Sequence, residues 1–181
     1  MIKITAGKRF LIYFAVISII AVCGVTISYM FAKSGRAENE FVAASVSCQV
    51  YEQFDGEYKN EISVKNTGNI SAFIRVRLVS HWEDKDGNII AKNSVMPQIV
   101  PAEGWLEMEN NTYCYTVPIK AGESTPSLLS ASMQLKSQDG CNQVVRVFAE
   151  AIQSIPSKAV SESWDVIVSK TSEGVMITGL N

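Results

Sequence analysis

The chain has 181 residues, 47% of them apolar, with 11 Gly and 5 Pro. That is length enough for one domain with a real core, and too little Gly and Pro for a disordered or collagen-like chain. Charge is unevenly placed: Lys3, Lys8 and Arg9 precede residue 33 with no acid, leaving 13 Lys/Arg against 18 Asp/Glu afterwards, a net of −5. A mildly acidic body argues against nucleic acid as a partner, because phosphate binding needs a basic patch.

The basic start leads into an uncharged run from Phe10 to Ala32, FLIYFAVISIIAVCGVTISYMFA. Two readings stand. A secretory signal peptide has this basic start, an apolar middle and a small-x-small exit, here Thr26-Ile27-Ser28. A retained membrane anchor uses the whole run, which at about 1.5 Å per residue exceeds a hydrocarbon core of roughly 30 Å. The polar Thr26 and Ser28 thin the run at its end and favour cleavage after Ser28. Either way the basic residues stay inside, so the body is exported, to the cell surface or beyond, and anchored if the leader is not cut. Lys8, Arg9, Thr26 and Ser28 are the targeting residues of this reading. Val22 stands where a lipoprotein site at Cys23 needs a small residue, so Cys23 reads as a packed apolar side chain.

Residues 33–40, KSGRAENE, are polar and read as a linker. From Phe41 the pattern alternates: Ala44, Val46, Cys48 and Val50 share one face, with Ser45, Ser47 and Gln49 opposite, the mark of a strand. Phe54 to Tyr58 turns the chain into Ile62-Ser63-Val64, its hairpin partner. After Asn66-Thr67-Gly68-Asn69, a strand from Phe73 to Trp82 puts Ile74, Val76, Leu78 and Trp82 on a core face, and Arg75, Arg77 and His81 in water. Asp86-Gly87 turns it toward Ile89-Ile90-Ala91. Asp84, Asp86 and Asn88 evoke a calcium loop, but the distal bidentate carboxylate has no candidate, so a solvated turn is expected. Residues 93–109, with Pro97, Pro101 and Trp105, read as loop.

Tyr113 to Val117 alternates again, and Pro118, Gly122 and Pro126 punctuate a connection carrying Leu128 and Leu129. Ser132 to Lys136 is a short strand. Asp139-Gly140 then turns the chain into a strand with Val145, Val147, Ala149 and Ala151 on one face and Arg146 and Glu150 on the other. Ser157 to Trp164 has near-helical spacing, and residues 169–181 form a tail, frayed or adding an edge strand. The expected organisation is a leader over 1–32, a linker over 33–40, an all-β antiparallel two-sheet sandwich or jelly roll over 41–168, and the tail. Cys48, Cys114 and Cys141 allow at most one internal disulfide, and no C-x-x-C or paired-His pattern supports a zinc site.

Taken in order, several blocks resemble one family. The leader ends near Tyr29 and Phe31, followed by Asn39-Glu40-Phe41-Val42-Ala43-Ala44. Then come Val64-Lys65-Asn66-Thr67-Gly68-Asn69 with Phe73-Ile74-Arg75-Val76-Arg77, and a segment from Trp105 to Tyr115. Last is Val147-Phe148-Ala149-Glu150-Ala151-Ile152-Gln153 with a trailing Trp164. Over roughly residues 10–165 the chain resembles the TasA/camelysin group of Gram-positive exported proteins, whose leaders are cut by a dedicated signal peptidase. It departs from that pattern in its cysteines and in Ser28, where the family tends to have Ala. The resemblance implies a jelly-roll sandwich and, for TasA-like members, extracellular biofilm-matrix fibres assembled by donor-strand exchange with a like subunit. On these residues the better apolar face of such a donor is Val42, Ala44, Val46 and Cys48. The alternative is that this strand pairs within its own domain.

Three classes of function follow. The first is a structural matrix subunit, or an accessory that starts or caps fibres, with itself or a homologous subunit as partner and no cofactor. The second is a camelysin-like metallopeptidase, for which His81 is the only histidine and no H-E-x-x-H is present. The third is a surface carbohydrate-binding module using Trp82, Trp105, Trp164 and the Tyr113/Tyr115 pair, although aromatics in a sandwich more often form core. No phosphate loop, nucleophile elbow or Cys/His arrangement is visible, so no catalytic residue is nominated.

Overall fold

A computed structural model describes residues 6–33, 42–172 and 174–181. The chain falls into two compact units, 1–42 and 43–181. In the first, α1 spans Ala6–Lys33. Ser18 and Thr26 satisfy their hydroxyls inside it, on Phe14 O at 2.9 Å and Val22 O at 2.8 Å. Hydroxyls bonded back one turn are compatible with continued helix, and the backbone stays helical through Thr26 and Ser28 to Lys33. Cys23, expected to be packed, is exposed. Among the described residues no helix is long and apolar enough to cross a membrane. The uncharged run extends into residues 27–32, whose side chains lie outside the description, as do those of Lys8, Arg9 and Ser28. Linker residues 34–40 and Phe41 also lie outside the described residues.

The second unit is antiparallel β throughout. Its strands are β1 (Cys48–Phe54), β2 (Tyr58–Asn66), β3 (Ala72–Glu83), β4 (Ile89–Ile90), β5 (Trp105–Met108), β6 (Thr112–Tyr115), β7 (Met133–Gln134), β8 (Ser137–Gln138), β9 (Cys141–Gln153), β10 (Val166–Thr171) and β11 (Gly174–Leu180), with one short helix, α2 (Lys158–Trp164). One sheet runs β1-β2-β7. The larger runs β5-β6-β3-β9-β8, with β4 also on β3, and β10 pairs with β11. The connection after β6 lies along the free side of β2: Thr125 N donates to Val64 O at 2.9 Å and Leu128 N to Ile62 O at 2.7 Å.

Alternation explains the main core. Ile62 and Val64 from β2 share one buried cluster with Ile74, Val76 and Leu78 from β3, completed by Trp105, Tyr113, Leu128, Met133 and Val145. A second cluster lies on the opposite face of the large sheet, where Phe73 and Cys114 pack beneath Val160, Trp164, Val166 and Ile177. This corrects one expectation. The face of β3 carrying Phe73, Arg75, Arg77 and His81 is not uniformly in water, because α2 and the β10–β11 hairpin cover its first half. Of the two courses expected for residues 169–181, frayed or strand, the structure takes the second: β10 runs past residue 168 and pairs with β11, whose Ile177 is buried. Full burial of side chains of this size contributes about 1.5–3 kcal/mol each, enough to hold a short hairpin down.

Two smaller expectations also change. Trp105 begins strand β5 and does not sit in a loop, since its ring fills the main core. Residues 42–47 are not a strand; pairing starts at Cys48, in register with Asn66.

Candidate functional site

One side of β9 is largely without a paired strand among the described residues. Twelve residue pairs, Ala72–Glu83 with Gln153–Asn142, join β9 to β3 without a register shift. On its other side β9 pairs with β8 through Cys141 and Asn142, Gln143 N adds a bond to Lys136 O at 2.7 Å, and β1 lies close beside the remainder without pairing to it. Which groups face the open side follows from alternation in an antiparallel ladder. Leu78 N donates to Asn111 O at 2.9 Å and Ala72 N to Ile119 O at 3.0 Å, so even-numbered residues of β3 point away from β9. Its odd-numbered residues therefore bond the even-numbered residues of β9. The N–H and C=O groups of Val145, Val147, Ala149 and Ala151 thus point outward along the edge. Their side chains turn inward, with Val147, Ala149 and Ala151 half-buried against the main core.

Strand β1, which lies close to β9, presents a second unpaired edge on the same flank. Asn66, Val64 and Ile62 send their backbone groups to the 122–128 segment, so their partners Cys48, Val50 and Glu52 direct theirs outward. The two edges are tied together at one end. The Lys59 ammonium donates to the Glu52 carboxylate of β1 and, at 2.7 Å, to the Val145 carbonyl of β9. Near the other end, burial raises the pKa of the Cys48 thiol, and the Glu150 carboxylate of β9 adds to the rise.

The segment ahead of β1 is held by the Asn66–Asn69 turn. Asn66 is fully buried and satisfies its amide on Ile70 O and Ile119 O at 2.8 and 2.9 Å, while its Oδ1 accepts from Gly68 N. The turn so fixed receives the arm: Ser45 N donates to Asn69 Oδ1 at 2.7 Å, Asn69 Nδ2 to Ala43 O at 2.8 Å, Asn69 N to Ser45 O at 3.0 Å and Thr67 N to Ser47 O at 3.0 Å. A Cβ at Gly68 would stand 2.4 Å from Ser45 O, so only glycine allows the arm to lie there. Of the nominated donor residues, Val42, Ala44 and Val46 are exposed and outside any strand, and Cys48 is the first residue of β1. The polar turn, visible in sequence only as N-T-G-N, was the missed signal for this clamp.

The other nominated residues are committed elsewhere. His81 Nε2 lies 2.6 Å from Glu83 Oε1, which also accepts from Arg146 Nη2 at 3.0 Å. The His81 hydrogen bond, then Arg146, holds the Glu83 carboxyl below its ordinary range. Asp84 Oδ1 accepts Asp86 N and Asn88 N at 2.8 and 2.9 Å, and its Oδ2 accepts Asn88 Nδ2 at 3.0 Å, which closes the β3–β4 turn. These bonds lower its pKa, with the Asn88 side chain first. Among the described residues no group of three or more His, Cys, Asp or Glu is placed to hold a metal ion.

Trp82, Trp105 and Trp164 are all buried, and Tyr113 with them, leaving no indole face for a sugar to stack on. Trp164 instead carries the Arg75 guanidinium 4.8 Å from its ring centroid. All four cysteines are unpaired, and burial pushes the Cys114 thiol up to about 11. In comparisons with known proteins, no family model, curated protein or solved structure matches this chain.

Proposed function

We propose that this chain is an exported structural protein that assembles by strand addition, as a fibre subunit of a biofilm matrix or an accessory that starts or caps such fibres. The observation that carries this reading is the row of unpaired backbone groups on one side of β9, at Val147, Ala149 and Ala151, in a long strand without a bulge and bare of proline. Edges of that kind recruit another chain unless they are covered. An extended segment laid along it would gain ladder hydrogen bonds, and its alternate side chains would pack beside Val147, Ala149 and Ala151. Support from sequence is the alternation of Val42, Ala44 and Val46 and the ordered blocks that resemble the TasA/camelysin group. With that resemblance go a jelly-roll arrangement of the sandwich, a leader within residues 1–32 that acts as signal peptide or anchor, and a signal peptidase as processing partner. Docking in trans asks the arm to give up its hydrogen bonds to Asn69, each worth about 0.5–1.5 kcal/mol net, so the exchange is close to balanced.

Deleting Ala37–Val46 from the secreted protein tests the reading. The truncated chain is expected to stay folded by circular dichroism and to form no fibres by negative-stain microscopy. Fibres from the truncated chain, or its unfolding, would overturn it, and intact mass of the secreted form locates its first residue. The peptidase and glycan-binding alternatives gain nothing from the geometry, because His81 is bound to Glu83 and the tryptophans are core.

A further inference from the structure

Among the described residues Lys59 is the one buried lysine, 5% exposed. A register shift of β2 against β1, between Gln53 and Phe54, turns its side chain to the side of Ile62 and Val64, opposite the buried Met133 of β7. Bulges re-aim side chains in this way. The ammonium ends between two strands that do not pair: it donates to the Glu52 carboxylate of β1 and, at 2.7 Å, to the Val145 carbonyl of β9. Stability alone is a weak reason for such a group, since replacing a buried ion pair by apolar side chains is often neutral or stabilising. What the ammonium joins is more informative. Strands β1 and β9 lie side by side, and among the described residues no backbone bond links them. They run antiparallel: Lys59 joins Glu52 to Val145 at one end, and the Glu150 carboxylate bears on the Cys48 thiol at the other. The backbone groups of Cys48 and Val50 and those of Val147 and Ala149 point into this seam, while all four side chains pack against the main core. Strand β1 thus covers the unpaired row of β9 without bonding to it.

We propose that Lys59 is a latch on this seam: it holds β1 over the Val147–Ala151 row of β9, so that a single subunit keeps the row shielded until β1 swings aside. Among the described residues the one hydrogen-bonded tie across the seam runs through Lys59. Beyond it, β1 is kept in place by the half-buried Cys48 and Val50, and opening breaks no backbone bond. A bare row of strand backbone recruits other chains, so a free subunit needs a cover. A cover without ladder bonds shields the row and can still leave it by a local opening, because little has to be broken. The ammonium suits that task, since its three donors reach a carboxylate on one strand and a carbonyl on the other at once. This role rests on the strand-addition reading and regulates the same row of groups.

Two native thiols report on the seam and on the rest of the fold separately. Cys48 lies in the seam, half-buried, and Cys114 is buried on the opposite face of the large sheet. In Lys59→Met, which keeps the stem and loses the donors, alkylation of Cys48 in the secreted protein, read by peptide mass, is expected to quicken about tenfold. That is the scale of one lost hydrogen bond to a charged group. Cys114 alkylation stays at the wild-type rate, and fibres form after a shorter lag by negative-stain microscopy. Glu52→Gln, which weakens only the β1 half of the tie, gives a smaller rise of the same kind and decides the matter if Lys59→Met does not fold. Equal Cys48 rates in wild type and every folded variant, or a parallel rise at Cys114, would overturn the latch while strand addition stands. Faster Cys48 alkylation with an unchanged lag would overturn the shielding role, again without touching strand addition. If no protein, wild type included, forms fibres, strand addition is overturned and the shielding role with it.

Discussion

Gly68 and Glu83 show how much single positions carry. Gly68 is the point where the arm crosses the Asn66–Asn69 turn, and an added methyl would meet the Ser45 carbonyl at 2.4 Å. Gly68→Ala is therefore expected to lift the arm, cost about 1–3 kcal/mol through overpacking, and speed exchange of the Ser45 and Asn69 amides. Unchanged exchange at both would show that the clamp does not depend on this contact. Glu83 accepts from His81 and Arg146, and its carboxyl titrates below the ordinary value of 4.5. Asp84 likewise titrates below 3.8. A carboxyl with a lowered folded pKa contributes stability above its unfolded value and loses it as pH falls through the folded one. Melting temperature should thus hold on acidification to about pH 5 and drop between about pH 4 and pH 2. Glu83→Gln should show a smaller drop, and an equal drop in both proteins would exclude Glu83 as a source. Neither effect could be foreseen from residue types, because His81 and Glu83 are simply two apart on a strand until Arg146 arrives from β9.

At the scale of elements, β3 and β9 divide the labour. Twelve paired residues make β3 the centre of the large sheet, and its alternation was plain in sequence because Ile74, Val76 and Leu78 must all face one core. What covers the other face was not, since period two separates faces without saying what lies over them. Phe73 and Cys114 are buried there because α2 and β11 happen to return to that side. Hairpins at Asp86-Gly87 and Asp139-Gly140 were legible for a local reason: Gly87, Asp139 and Gly140 adopt positive φ, which few residues tolerate. The open side of β9 yields a direct experiment. Ala149 N–H faces outward, so Ala149→Pro deletes no bond to β3 and should cost an ordinary 0.5–3 kcal/mol, roughly. It should abolish assembly while the monomer remains folded, as read by sedimentation and circular dichroism. Assembly at wild-type rates in a folded Ala149→Pro protein would place the docking surface elsewhere.

For the whole molecule, composition and patterning determined an antiparallel β body with short strands, an apolar N-terminal run and a basic start ahead of it. Those properties follow from neighbouring residues: alternation, turn glycines and charge are local, and a reader of the chain sees them directly. Tertiary structure decided what local rules leave open. It placed the 122–128 segment beside β2, so that β1 became an edge, and it stopped β8 after two residues, so that β9 became another. It drew the three tryptophans inward, sent the Lys59 ammonium across to Val145, and set the arm on Asn69. Each of these joins residues far apart in the chain, and the free energy that selects them is burial and backbone pairing summed over the folded unit, which no window of sequence contains.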